Sequence, residues 1–404
     1  MNTTEPDTAA RLHARLVDLL VSRGTVTTER VETALRTVAR HPFVADASLD
    51  SAYAPDDAVV TKRDHTGAAL SSASAPGVVA SMLEQLDVQP GDHILEIGAG
   101  TGYNAALLAE LTGPAGRVVT IDIDQDVVDG AAAALASTGY GRVEVLCADG
   151  AQGHAPAAPY DKIIVTAGAW DLPPAWWRQL APTGRLVVPL RITGGTTRSI
   201  AFDRQGGHLV SRSMMTCGFL AMRGIGAQSE PTIALADGVT LVLGDGRTAP
   251  PEALARALDE PATRSWSGIA IPSGRTFQHL DLWLATTCQG FCRIVAQISA
   301  VETDLATPAF RWGGAAMTNE TDSLAYLTIR PADVPGILFE LGARAHGPHG
   351  SDLATSLMDQ IQLWDKEHRD TAPRIDAHLK PCDRTHLAAM TVIEKVHTVL
   401  AVAW

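Results

Sequence analysis

The chain is predicted to be an α/β protein: a parallel sheet with helices on its faces, followed by a separate C-terminal α+β unit. Three observations predict this. Between residues 93 and 189, short apolar runs alternate with helix-like stretches, the rhythm of βαβ units. A glycine-rich turn, Gly98-Ala-Gly-Thr-Gly102, joins the first run to its helix, and from about Gly224 the alternation stops. A length of 404 residues, 46% hydrophobic and 19% charged, supplies two or three packed units and excludes a wholly disordered or fibrous chain.

The elements follow in order. Leu12, Leu16, Leu19 and Leu20 recur at helical spacing until Gly24; Thr27 or Thr28 caps a second helix through Val31, Leu35 and Val38, which ends at His41-Pro42. Residues Asp46 to Pro76 are small, polar and turn-rich, a composition that wraps a site rather than building a core. A helix over Val78 to Leu86 precedes the alternating region. Strands are expected at His93–Ile97, Arg117–Asp122, Val143–Leu146, Lys162–Val165 and Arg185–Pro189, with helices at Ala105–Leu111, Val127–Ala136 and Pro174–Leu180. Ser199–Phe202 and His208–Met215 read as closing antiparallel strands. Beyond them come a β-like stretch (Thr232–Gly244), a helix (Pro251–Leu258) and strand candidates at Leu280–Thr287, Phe291–Ile298 and Leu324–Ile329. A helix (Asp352–Glu367) and a final helix or strand (Leu387–Val402) end the chain. The expected division is 1–225, with N-terminal helices and a substrate loop in 1–75, and 230–404.

Charge narrows the function. Thirty-two Lys and Arg against forty-five Asp and Glu give a net charge of −13, which repels phosphate backbones and anionic membranes. Nucleic acid and membrane are therefore not expected partners. No run of 18 apolar residues and no basic residue within Met1–Ala10 suggests a span or a leader. Five cysteines, an odd and scattered set, indicate free thiols in a reducing cytoplasm.

The glycine turn indicates the ligand. Glu96 precedes Gly98, Gly100, Thr101 and Gly102 between strand and helix, where backbone passes close to a ligand over the helix N-terminus. A dinucleotide fingerprint places glycine where Tyr103 stands, which disfavours a nicotinamide oxidoreductase. Asp122 ends the next strand, placed to accept ribose hydroxyls, and Asp149-Gly150 ends the third, near the expected adenine. Three carboxylates around one turn match S-adenosylmethionine, whose sulfonium and ammonium are cationic, better than an anionic dinucleotide.

Several linked runs then resemble the protein-L-isoaspartate (D-aspartate) O-methyltransferase family: Val38-Ala-Arg-His-Pro-Phe43, Ala52-Tyr53, Ser72-Ala-Ser-Ala-Pro76, Leu95 to Tyr103, Asp149-Gly150, Pro159-Tyr-Asp161, Val165-Thr-Ala167, and Gln179-Leu180 to Gly184-Arg-Leu-Val-Val-Pro189. The resemblance spans roughly residues 10 to 225. It implies a Rossmann-like, class I S-adenosylmethionine-dependent methyltransferase fold, and transfer from S-adenosylmethionine, leaving S-adenosylhomocysteine, to a carboxylate of an Asp- or isoAsp-containing peptide or protein. Ser74 matches the family's serine between donor and substrate carboxylate, and Ser72 joins the expected donor-binding set. Two places depart from the family: Ser72-Ala73 stands for its Thr-Ile, and Phe219-Leu-Ala-Met222 approximates its Val-Pro-Leu ending. The chain also continues about 180 residues further. In this it is similar to members that methylate an Asp in ribosomally made, post-translationally modified peptides such as lanthipeptides and graspetides, leading to aspartimide or isoaspartate. General isoaspartyl repair is the alternative.

The chemistry asks for no general base, since a carboxylate with pKa near 4 is ionised at neutral pH. Alignment and desolvation dominate. Ser74 would orient the carboxylate, with Ser71 and Ser72 adjacent; it is also placed to cap the helix that Pro76 begins. No metal is expected: Cys288, Cys292 and His279 sit in apolar context, and His346 and His349 flank an exposed Gly-Pro turn. Trp170, Trp176 and Trp177 line a peptide groove or pack in the core. The C-terminal unit is expected to hold a substrate peptide or its leader, so that removing 230–404 weakens substrate but not donor binding. A non-catalytic peptide-binding protein is the remaining alternative.

Overall fold

The computed structural model describes residues 5–244, 248–272, 277–310, 313–332 and 335–404. Apolar residues at helical spacing build an N-terminal layer from α1 (Glu5–Ser22) and α2 (Glu29–Thr37), burying Leu16, Leu20, Val31 and Leu35. Thr28 caps α2, its hydroxyl accepting from the Val31 amide at 3.4 Å. A short turn of 3-10 helix (His41–Val44) and α3 (Leu49–Ala52) lead to a hairpin of β1 (Val59–Arg63) and β2 (Ala69–Ala73). The polar loop expected over 46–76 thus contains a two-stranded sheet. Pro76 opens α4 (Pro76–Leu86), with Ala75 at its N-cap and no side-chain cap, so Ser74 does not cap this helix.

The alternating region forms β3 (His93–Ile97), α5 (Tyr103–Thr112), β4 (Arg117–Asp122), α6 (Gln125–Ser137), β5 (Glu144–Cys147), β6 (Tyr160–Val165), α7 (Pro174–Gln179) and β7 (Leu180–Arg191). Strands β3 to β7 run parallel; β8 (Thr197–Gln205) and β9 (His208–Thr216) extend the sheet antiparallel. The two-residue period of a strand sends neighbours to opposite faces. Ile94, Val118 and Ile164 join the core shared with α1, α2, α4 and α5, while Leu95, Val119 and Ile163 join the core on the other face. Trp176 and Trp177 belong to that second core, and Trp170 is 5% exposed. All three tryptophans therefore pack inside rather than line a groove.

A second, antiparallel sheet has the order β10-β11-β13-β14-β15-β16-β12. Its strands are β10 (Thr232–Ala236), β11 (Val239–Leu243), β12 (Thr263–Pro272), β13 (Phe291–Ala296), β14 (Gly314–Thr318), β15 (Leu324–Pro331) and β16 (Ile337–His346). Helices α9 (Leu280–Thr287) and α11 (Gly350–Glu367) cover one face; α8 (Pro251–Asp259) and α10 (Ile298–Glu302) cover the other. The expected strand at 280–287 is thus a helix: Leu280, Trp283 and Leu284 share one helical face, a pattern that a short apolar run hides. Cys288 caps that helix and Cys292 lies in β13, both buried, and His346 is buried at the end of β16 rather than in an exposed loop.

The chain then returns. Strands β17 (Arg374–Leu379), β18 (Thr391–Glu394) and β19 (Thr398–Ala403) complete the first sheet, giving, among the described residues, ten strands in the order β18-β19-β17-β9-β8-β7-β6-β3-β4-β5. Ala377 pairs with Leu209 of β9, and Ile375, Leu400 and Val402 lie in the same core as Phe202. The expected 230–404 division is therefore not the division between the sheets. Non-local strand pairing leaves no trace in local periodicity, so the return of the chain to the first sheet is not legible in the sequence.

Candidate active site

The carboxyl ends of β3, β4 and β6, the β1–β2 hairpin and residues 218–223 enclose a cavity of about 610 Å³. Ligands in such sheets bind at that edge, where loops diverge. The glycine turn forms its floor. The Gly98 and Ala99 amides donate to the Ile121 carbonyl at 2.8 and 3.1 Å, and the Thr166 hydroxyl donates to the Gly98 carbonyl at 2.7 Å. Gly98 has φ +108°, and a Cβ there would stand 2.4 Å from the Thr166 hydroxyl, so only glycine brings these strands together.

Of the residues expected from sequence, Ser72, Ser74, Glu96, Gly98, Gly100, Thr101, Asp122 and Gly150 line this one cavity. Two do not. Gly102 caps α5 at φ +85° and faces α6, where a Cβ would meet Leu135 and the Ala131 carbonyl. The Asp149 carboxylate, expected near adenine, accepts from the Ala151 amide at 2.9 Å and the Ile225 amide at 2.7 Å. It ties the 224–226 turn to the end of β5, and its neighbour Gly150 reaches the cavity instead.

Asp122 accepts from the Gly100 amide at 3.1 Å through one oxygen and from Ile123 at 2.8 Å through the other, which fixes both the turn and its own carboxylate. Glu96 is fully buried, accepting from Asn104 Nδ2 at 2.7 Å and the Thr120 hydroxyl at 2.6 Å. Burial pushes its carboxyl up to about 7, with nearby Asp122 adding to the rise and the two hydrogen bonds opposing it. Among the described residues, the Ser74 hydroxyl has no hydrogen-bond partner, although it stands in the cavity wall.

Sequence reasoning missed several groups. Asn104 and Thr120, which hold Glu96, belong to no run with a distinctive signature, and the Val165-Thr-Ala167 run does not by itself say that the Thr166 hydroxyl holds the glycine turn. Arg40, within the Val38–Phe43 run, is fully buried and lines the cavity. Asp124 joins the hairpin to the 218–223 segment: Lys62 Nζ stands 2.7 Å and Arg223 Nη2 2.7 Å from its Oδ2. Hydrogen bonds from Arg223, then Lys62, hold the Asp124 carboxyl down at about 2.

A parallel sheet with this order, a glycine turn on its first strand and carboxylates on the next strand ends define a class I, Rossmann-like S-adenosylmethionine-dependent methyltransferase. A cavity of this size, bordered by acidic groups and by backbone that tolerates close approach, fits an adenosyl sulfonium. The profile of the protein-L-isoaspartate(D-aspartate) O-methyltransferase family matches residues 11–225, and the chain belongs to that family. It is an S-adenosylmethionine-dependent carboxyl O-methyltransferase. A protein-L-isoaspartate O-methyltransferase of Methanopyrus kandleri is 40% identical over 222 residues, 55% of this chain and 95% of that protein. One from Aeropyrum pernix is 41% identical over 191 residues, covering 47% of this chain and 70% of its own. A solved structure of a protein-L-isoaspartate O-methyltransferase superposes with TM-score 0.50 at 20% identity, covering 90% of this chain and 96% of that one. That likeness in fold extends well beyond residue 225.

No helix among the described residues is long and apolar enough to cross a membrane, and none of their His, Cys, Asp and Glu residues form a group of three or more placed to hold a metal ion.

Proposed function

We propose that this chain methylates the α-carboxylate of isoaspartyl residues in peptides and proteins, with Ser74 orienting that carboxylate and Ser72, Glu96, Gly98, Gly100, Thr101, Asp122 and Gly150 holding the donor. The observation that carries this reading is the unpartnered Ser74 hydroxyl, set in the same cavity wall as the glycine turn. When bound, the donor supplies an electrophilic methyl carbon on its sulfonium. The chain's residues do the positioning. The Ser74 hydroxyl donates to one carboxylate oxygen and leaves the other free to attack; the Glu96 and Asp122 carboxylates offset the donor's positive charge; the hairpin and residues 218–223 exclude water from the crevice. No residue needs to remove a proton, because the acceptor is already ionised. After release, the next residue's amide nitrogen attacks the ester carbonyl, its proton leaves with methoxide as methanol, and a five-membered imide forms that hydrolyses to Asp or isoAsp.

Maturation of a ribosomally made peptide, with methylation of an ordinary Asp, is the second reading. The long C-terminal extension favours it, whereas the likeness to relatives named protein-L-isoaspartate O-methyltransferase, 40% identical over 95% of the Methanopyrus protein, supports the first. Five free thiols support a reducing, cytoplasmic setting. Transfer of labelled methyl groups to an isoaspartyl peptide and to its Asp isomer separates the readings. Turnover of the isoaspartyl peptide alone is expected; turnover of the Asp isomer alone would transfer the assignment to peptide tailoring, and turnover of neither would remove both.

A further inference from the structure

Arg40 carries a charge with no counter-charge. It follows α2, is 0% exposed and forms part of the cavity wall. Its Nη2 donates to the Ala73 carbonyl at 3.2 Å, and its guanidinium carbon lies 5.0 Å from the centroid of the Tyr103 ring. Among the described residues Nε and Nη1 have no hydrogen-bond partner, and no carboxylate forms an ion pair with this side chain. The other two buried arginines among the described residues, Arg198 and Arg344, each pair with a carboxylate, of Asp281 and Asp304 respectively.

A guanidinium out of water and without an anion is unfavourable unless a ligand completes it. Burial accordingly lowers its proton affinity from the ordinary arginine range. The Ala73 bond sets it beside the Ser72–Ser74 segment, and the Tyr103 stack sets it beside the glycine turn. Both partners of the reaction carry a carboxylate: the amino-acid end of the donor and the acceptor itself.

We propose that Arg40 is the carboxylate anchor of the active site, its Nε and Nη1 hydrogens meeting an oxygen of a bound carboxylate. The substrate half of this statement rests on the function proposed above; the donor half does not. Calorimetry tests both. In the donor arm, S-adenosylmethionine is compared with its decarboxylated form. In the substrate arm, with S-adenosylhomocysteine bound, an isoaspartyl peptide is compared with the same peptide carrying an amide in place of the carboxylate. The wild-type chain is expected to prefer the carboxylate by about tenfold or more in at least one arm, as a charge-assisted hydrogen bond gives. Arg40→Gln should remove that preference and Arg40→Lys retain part of it. Loss in the donor arm places the donor's carboxylate on Arg40; loss in the substrate arm places the acceptor's there. Wild-type affinities that ignore the carboxylate in both arms would overturn the proposal, without requiring a variant to fold. So would an Arg40→Gln variant that weakens both members of each pair equally, the mark of a merely structural arginine. Because binding is read rather than turnover, a chain that methylates neither peptide would sink the substrate reading while the donor arm still decides on Arg40.

Discussion

Ser74 stands in the cavity wall with a hydroxyl that bonds to nothing else among the described residues, so its removal orphans no other group. Ser74→Ala should lower kcat about tenfold to a hundredfold, the worth of one hydrogen bond to a charged group, and leave the donor Kd within about twofold. Methyl-transfer rates beside calorimetry check this. Asp122→Ala should do the reverse: it frees the Gly100 amide and removes a ligand for hydroxyls, so the donor Kd should rise about tenfold. Unchanged donor affinity would end that assignment. Glu96 gives a pH signature. With its folded pKa near 7, raised above 4.5, neutral Glu96 contributes stability that is present below pH 4.5 and lost as pH rises through about 7. A cationic donor prefers the ionised form, so donor affinity should climb from pH 6 to 8 in the wild type and stay flat in Glu96→Gln. Glu96 and Asp122 were legible because they border a glycine turn whose spacing is distinctive. Asn104 and Thr120 were not, since a lone polar residue in a helical or strand run carries no mark of where its side chain ends; nor was the setting of Arg40, which contacts with Ala73 and Tyr103, far along the chain, decide.

At the scale of elements, the hairpin β1–β2 is held over the cavity by charge more than by packing, for β1 is largely exposed. Lys62 from the hairpin, Asp124 at the start of α6 and Arg223 after β9 form one ion cluster that joins these three parts of the chain. Asp124 is depressed to about 2 from 3.8, so its stabilising share is present above pH 3.8 and fades as pH falls through about 2. Asp124→Asn should loosen this clasp by about 1 kcal/mol, as expected for a partly exposed pair. Hydrogen exchange of hairpin amides should then quicken by roughly fivefold, and the donor should bind more weakly; unaltered exchange over residues 59–73 would show the clasp to be idle. Apolar runs bounded by turn signals predicted β3, β4, β6 and β7, whose residues are buried on both faces of the sheet, but not the β1–β2 hairpin inside the polar loop. The same signal failed at Leu280–Thr287, where eight residues are too few to tell a buried helix from a strand.

Across the whole molecule, the tail is a structural partner of the catalytic sheet. Ile375, Leu400 and Val402 share a core with Ile200, Phe202 and Leu209, and Asp281 of the second unit pairs with buried Arg198 in β8. A chain ending at residue 229 would bare the edge of β9 and this apolar face, conditions for aggregation. The truncated chain is therefore expected to lose cooperative unfolding as well as substrate binding, contrary to the sequence-based expectation of intact donor binding. Leu400→Ala, far from the cavity, should cost about 2–5 kcal/mol in urea denaturation. A truncated chain with wild-type stability would restore the independent tail.

By itself the sequence determined the Rossmann-like alternation, the glycine turn and the acidic strand ends, because local periodicity and short-range spacing dictate them. It determined the methyl donor as well, through charge placed at fixed offsets from that turn. Only the tertiary structure decided that the last three strands return to the first sheet, that Asp149 braces a loop, and that Arg40 and Ser74 meet in one cavity. Those outcomes depend on contacts between residues far apart in the chain, which burial of apolar surface selects and no local pattern encodes.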